Sequence, residues 1–81
     1  SQVDTSEVRV MTSVKLQDLV SKREFTYTLV AEAEANLKQK KISVSSPIGK
    51  GLLGKKIGET AEIQIPAGLK RFEILDIFIN L

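Results

Sequence analysis

From Val8 onward the hydrophobic residues alternate. Val8, Val10, Val14 and Leu16 share one parity, with Arg9, Lys15 and Gln17 on the other. Successive side chains of an extended chain point to opposite faces, so a period of two predicts a half-buried strand. Thr12-Ser13 marks a break or bend within it. Ser21-Lys22-Arg23 is a polar turn, after which Phe25, Tyr27 and Leu29 alternate with Thr26 and Thr28. The two segments predict an antiparallel hairpin. Residues 31–41 are rich in alanine, glutamate and lysine, but Ala31, Ala33, Ala35 and Leu37 make no helical face. This stretch reads as an exposed loop. Ile42 and Val44 then predict a short strand over 42–45 with both side chains inward.

The next stretch carries the signals of a short helix. Ser46 is a good N-cap, because its hydroxyl can accept one of the backbone N–H groups left over in a first turn. Pro47 suits the first helical position, where the missing N–H costs nothing. Ile48, Leu52 and Leu53 form an apolar face. Gly54 closes the helix by taking a left-handed conformation. Gly49 and Gly51 each weaken it by about 1 kcal/mol relative to alanine. Two such glycines predict a helix packed tightly against a neighbour.

Gly58 suits a turn ahead of the strand Ala61-Glu62-Ile63-Gln64-Ile65, and Pro66-Ala67-Gly68 is a tight turn. In the final strand, 69–79, Phe72, Ile74 and Phe78 occupy one parity while Leu75, Ile77 and Ile79 occupy the other. That pattern predicts a strand covered on both faces, by a central position or by a partner. The whole reads as one α+β domain over 8–81, a small antiparallel sheet with one short helix, behind a flexible polar lead-in over 1–7.

Composition narrows the chemistry. The 81 residues suffice for a single small domain, and they include no cysteine, histidine or tryptophan. Disulfides, thiol chemistry, Ser-His and Cys-His nucleophile pairs and the common zinc sites are thereby excluded. A cysteine-free chain points to a reducing cytoplasm. No apolar run approaches the roughly 18 residues of a membrane helix.

Gly49-Lys50-Gly51-Leu52-Leu53-Gly54-Lys55-Lys56 approaches a phosphate-binding G-x-x-x-x-G-K-[ST] loop, but Lys56 replaces the magnesium-binding hydroxyl. Ser46-Pro47 also starts the helix before the glycines, whereas a phosphate loop starts its helix after them. Ser46 and Lys50 stand four apart, as a nucleophile pair would, but a capping serine is already committed. Glu32/Glu34 and Glu59/Glu62 read as solvated charges. No catalytic residue, cofactor or metal site is expected.

The net charge of +2 comes from 12 basic and 10 acidic residues, too small an excess to imply nucleic acid by itself. The lysines cluster as Lys38, Lys40, Lys41 and Lys50, Lys55, Lys56, which would form one basic face if loop and helix were neighbours. Such a face is either solvated surface or an electrostatic docking surface for acidic protein or nucleic acid. Base stacking is disfavoured, since Phe25, Tyr27, Phe72 and Phe78 all fall on core-like parities.

The run Ile42-Ser43-Val44-Ser45-Ser46-Pro47-Ile48-Gly49-Lys50-Gly51-Leu52-Leu53-Gly54-Lys55-Lys56-Ile57-Gly58-Glu59 resembles the C-terminal domain of bacterial Gre factors, the GreA/GreB transcript-cleavage and elongation factors. The segments Ile63-Gln64-Ile65-Pro66-Ala67-Gly68 and Phe72-Glu73-Ile74-Leu75-Asp76-Ile77 continue the pattern. Val14-Lys15-Leu16-Gln17-Asp18-Leu19 and Phe25-Thr26-Tyr27-Thr28-Leu29-Val30 fit its earlier strands. The chain departs from the family at Thr12, often glycine, at residues 38–41, often a glycine-containing loop, and at Ser45, often Asp or Asn.

The resemblance implies an FKBP-like fold, a curved antiparallel sheet around a short helix. It also implies docking on bacterial RNA polymerase through the Ser-Pro region: Ser45, Ser46, Pro47 and Ile48, with Lys50, Lys55 and Lys56 adding charge complementarity. Prolyl isomerase activity does not follow, because this chain lacks the aromatic pocket of isomerases with that fold. In the family an N-terminal coiled coil brings acidic residues and a catalytic Mg²⁺ to the polymerase active site. No heptad precedes Val8, and Asp4 and Glu7 stand alone in the lead-in, so the chain reads as the docking half. Two other classes stay open: a Gre-related polymerase regulator without cleavage-stimulating activity, of anti-Gre or Rnk type, and a basic nucleic-acid-binding module.

Overall fold

The computed structural model describes residues 5–79. Of the lead-in expected over 1–7, residues 1–4, and with them Asp4, lie outside this range. Five strands and one helix follow in the order β1 (Ser13–Asp18), β2 (Glu24–Val30), β3 (Lys41–Ser43), α1 (Pro47–Leu52), β4 (Thr60–Ile65) and β5 (Gly68–Phe78). They form an α+β fold with a single sheet in the order β3-β2-β1-β5-β4.

The hairpin of β1 and β2 forms as the alternation predicts, with Val14 opposite Tyr27 and Leu16 opposite Phe25. Its turn is organised by Asp18, a nearly buried carboxylate. One oxygen, Oδ1, accepts the N–H groups of Val20 (2.8 Å) and Ser21 (3.2 Å), and the ammonium of Lys70 lies 3.6 Å from Oδ2. The two backbone N–H groups, aided by Lys70 and opposed by burial, hold the Asp18 carboxyl below the usual aspartate value.

Four expectations are corrected. Val10 does not share the inner face with Val14; it is exposed, because Met11 takes a left-handed φ of 75° that reverses the chain before β1 begins at Ser13. The sheet is mixed rather than antiparallel, since β3 runs parallel to β2. A parallel neighbour needs a connection long enough to carry the chain back to the same end, and the ten residues 31–40 supply it. The third concerns β5, whose two apolar parities reflect a β-bulge and not a strand covered on both faces. Against β1, Lys15 faces Asp76 while Leu16 faces Ile74, so Leu75 is an extra residue. The bulge returns both Ile74 and Ile77 to the core face. Finally, Leu53 is 40% exposed, outside the core that Leu52 completes.

The core runs along the inner face of the sheet through Val14, Leu16, Leu29, Ile42, Ile63, Ile74 and Ile77, with Val8 and Ala61, and is closed by Leu52 of α1. The helix packs on β4 and β3 as closely as its glycines predict. A Cβ on Gly49 would run into the backbone carbonyl of Ser43, and one on Gly51 would lie 2.6 Å from Cγ1 of Ile63. Gly54 takes φ of 82° just past the helix end.

Candidate interaction groove

The turn between β3 and α1 is built by three serines. The Ser43 carbonyl accepts the backbone N–H of Ser46 (3.0 Å) and the Ser46 hydroxyl (2.6 Å). The same hydroxyl accepts the N–H of Gly49 at 3.0 Å, so Ser46 caps the helix as its sequence position predicts. Ser43 Oγ accepts the N–H of Ser45 (3.0 Å) and lies 2.7 Å from the Ser45 hydroxyl. With its proton donated to the Ser43 carbonyl and its oxygen accepting the Gly49 N–H, the Ser46 hydroxyl is a structural group rather than a nucleophile.

This turn presents Pro47 outward and Ile48 half-buried against the core. Opposite it lies the 31–40 connection, exposed throughout as expected and folded into two single 3₁₀ turns, Glu32–Glu34 and Leu37–Gln39. Backbone bonds of 2.9 Å in both directions between Asn36 and Lys41 fix the second turn beside β3. Between the two walls runs an open groove of about 550 Å³. Ala35, Leu37 and Lys41 form one side, Ser46, Pro47 and Ile48 the other, and Ile65 lies at the end of β4. Leu37 is 73% exposed, an uncompensated apolar side chain on the lip.

Of the seven residues expected at a docking site, Ser46, Pro47 and Ile48 line this groove. Ser45 is exposed in the adjoining turn, and Lys50 is exposed in the last turn of the helix. Lys55 and Lys56 follow Gly54: the Lys55 carbonyl accepts the N–H of Val8 (2.7 Å), and the Lys56 N–H donates to Glu59 (2.7 Å). Of the six clustered lysines only Lys41 reaches the groove. The groove's other wall, Ala35, Leu37 and Ile65, escaped the sequence reading. Its one sequence signal is Leu37, a large apolar residue in an otherwise polar loop.

Among the described residues no group of three or more Asp or Glu is placed to hold a metal ion. No helix there is long and apolar enough to cross a membrane. The arrangement offers apolar area, shape and a lysine, which is equipment for binding a protein surface.

The family described as "Transcription elongation factor, GreA/GreB, C-term" matches residues 3–78. Transcription elongation factor GreA of Christiangramia forsetii is 55% identical over 78 residues, 96% of this chain and 49% of that protein. GreA of Flavobacterium johnsoniae is 58% identical over 77 residues, 95% of this chain and 49% of that protein. The crystal structure of Thermus aquaticus Gfh1 superposes with a TM-score of 0.82 at 30% identity, covering 91% of this chain and 49% of that one. The elongation factor GreA/GreB of Nitrosomonas europaea superposes at 0.77 with 28% identity, covering 95% and 64%. This chain thus spans about half the length of the curated relatives it matches.

Proposed function

The chain belongs to the GreA/GreB family of transcription elongation factors, in whose C-terminal domain it falls, and from that premise we propose that residues 8–81 are the module that docks such a factor on bacterial RNA polymerase. The observation that carries this reading is the apolar groove walled by Ser46, Pro47 and Ile48. Its position coincides with the Ser-Pro segment through which the family resemblance implies polymerase contact. Pro47 and Ile48 supply apolar contact, and Ser46 fixes the turn that presents them. Ser45 lies at the turn's exposed edge. Lys50, Lys55 and Lys56, outside the groove, act chiefly on the rate of encounter, as peripheral charges do.

On this reading the module has no chemistry of its own and works in the cytoplasm. Cleavage of RNA belongs to the polymerase, stimulated by the N-terminal half of the parent factor. Identities of 55% and 58% to curated GreA proteins support a GreA-type parent.

The test is binding to bacterial core RNA polymerase. Wild-type chain is expected to bind saturably, and the Pro47→Ala, Ile48→Asp double variant to lose binding while still melting cooperatively. Absence of wild-type binding, with salt-sensitive binding to RNA or DNA instead, overturns the reading in favour of the lysines.

A further inference from the structure

On the other side of the sheet the ends of two hairpins meet. Leu19 and Val20, in the turn between β1 and β2, and Leu69 and Arg71, on β5, line an open depression of about 350 Å³. Side chains alternate along a strand, so Leu69 and Arg71 point away from Lys70 and Phe72, which stand on the core side with Ile48. The depression lies on the outer face and shares no residue with the groove. Val20 is 86% exposed, the most exposed large apolar side chain among the described residues, and Leu69 is 53% exposed. Turn tips ordinarily carry small or polar residues. This one is also held firmly. Asp18 Oδ1 accepts the N–H groups of Val20 and Ser21, and the Asp18 carbonyl accepts the N–H of Lys22 (2.8 Å). The Asp18 N–H donates to the Arg23 carbonyl (2.9 Å), and the Leu19 N–H to the Arg71 carbonyl (3.1 Å). A fixed backbone thus holds Val20 out in solvent, which lowers the cost of ordering it on contact.

The charges around the depression select what it binds. Arg71 is paired with Glu62 at 2.7 Å, and Lys70 with Asp18 at 3.6 Å. Lys22 and Arg23, on the same turn as Val20, make no ion pair among the described residues. The next carboxylate on this face, Glu73, stands beyond Arg71, opposite Gln17 and Thr60. The unspent charge at the hairpin end is therefore cationic. We propose that this end of the sheet is a second docking surface, and that its occupant is a protein segment of aliphatic side chains flanked by carboxylates. The aliphatic groups cover Val20 and Leu69, and the carboxylates meet Lys22 and Arg23. Nucleic acid fits less well, because no aromatic side chain lines the depression to stack on a base and only two cations are free. The proposal does not depend on the groove: the two sites face opposite ways, so one chain can hold a partner at each.

The experiment follows the backbone amide NMR signals of the isotope-labelled chain during titration with a short probe peptide of alternating leucine and aspartate. Its leucine–lysine counterpart, a single-stranded RNA and anionic lipid vesicles are titrated in parallel. The acidic peptide is expected to shift the amides of Leu19, Val20, Ser21 and Leu69 saturably, and the basic peptide to leave them in place. Val20→Asp is expected to abolish the shifts, and the pair Lys22→Glu, Arg23→Glu to weaken binding by about fivefold. All three positions are exposed, so each variant is expected to melt like wild type. Three results overturn the proposal. One is an acidic peptide that leaves the Val20 and Leu69 amides unmoved, or moves them equally in Val20→Asp. Another is a basic peptide that acts as strongly as the acidic one. The third is RNA or vesicles shifting these amides more strongly than the acidic peptide, which transfers the surface to phosphate or lipid. Polymerase is absent from every arm, so none of these outcomes touches the docking reading of the groove.

Discussion

Gly49 and Gly51 sit in a helix where alanine is intrinsically the better residue by about 1 kcal/mol at each position. Packing reverses that preference. The atom that a Cβ on Gly49 would strike belongs to the Ser43 backbone, which is pinned by two bonds from Ser46 and cannot move aside. Gly49→Ala is therefore expected to destabilise by about 2 kcal/mol, the overpacking cost exceeding the propensity gain. A urea titration measures it. Asp18 gives a second prediction at this scale. Its carboxyl is held below the ordinary value of 3.8 in the folded chain, so the stability it contributes is complete above that value. It is lost as the pH falls through the depressed value. Urea midpoints measured from about pH 5 downward should decline in wild type and decline less steeply in Asp18→Asn.

At the scale of elements, the helix was legible because its signals are local. Ser46, Pro47 and Gly54 each act within a few residues of themselves. Ser46→Ala is expected to cost about 1 kcal/mol of stability, since it removes the acceptor for the Gly49 N–H along with the bond to Ser43. The helix should persist, because Leu52 remains buried. Denaturant unfolding with a far-ultraviolet readout checks both statements. The bulge at Leu75 was not legible. Register against β1 decides it, and no residue of β5 announces a relation to Lys15 more than fifty positions earlier. Likewise nothing local marks Met11 for a left-handed backbone, so the alternation from Val8 through Val10 misassigned one face. The parallel placement of β3 was hidden for a related reason: a ten-residue connection permits either direction, and packing chooses.

For the whole molecule, the α+β class and the helix-capping half of the groove could be read in advance, whereas the facing wall could not. That wall combines residues 35–37 with Ile65, and only the folded sheet brings them beside Pro47. Exposure separates binding from stability there. Leu37 is mostly solvated, so Leu37→Ala is expected to shift stability by no more than about 0.5 kcal/mol. The same change should weaken polymerase binding by about fivefold or more. Parallel melting and binding curves would expose a purely structural effect as a loss in both.

The 31–40 connection has a consequence for how such a module changes over time. Its backbone is tethered by the paired bonds between Asn36 and Lys41 and by the bond from Thr28 to the Lys40 carbonyl, while every one of its side chains faces solvent. Asn36, whose Oδ1 accepts the Lys38 N–H, and Lys40, which takes a left-handed φ of 61°, hold the connection's shape, whereas the other side chains there are exposed and outside the core. Exposed side chains of this wall such as Leu37 can therefore be exchanged at little cost to folding, while the opposite wall is tied to the helix cap. Partner preference is free to drift along one side of a channel whose other side is locked.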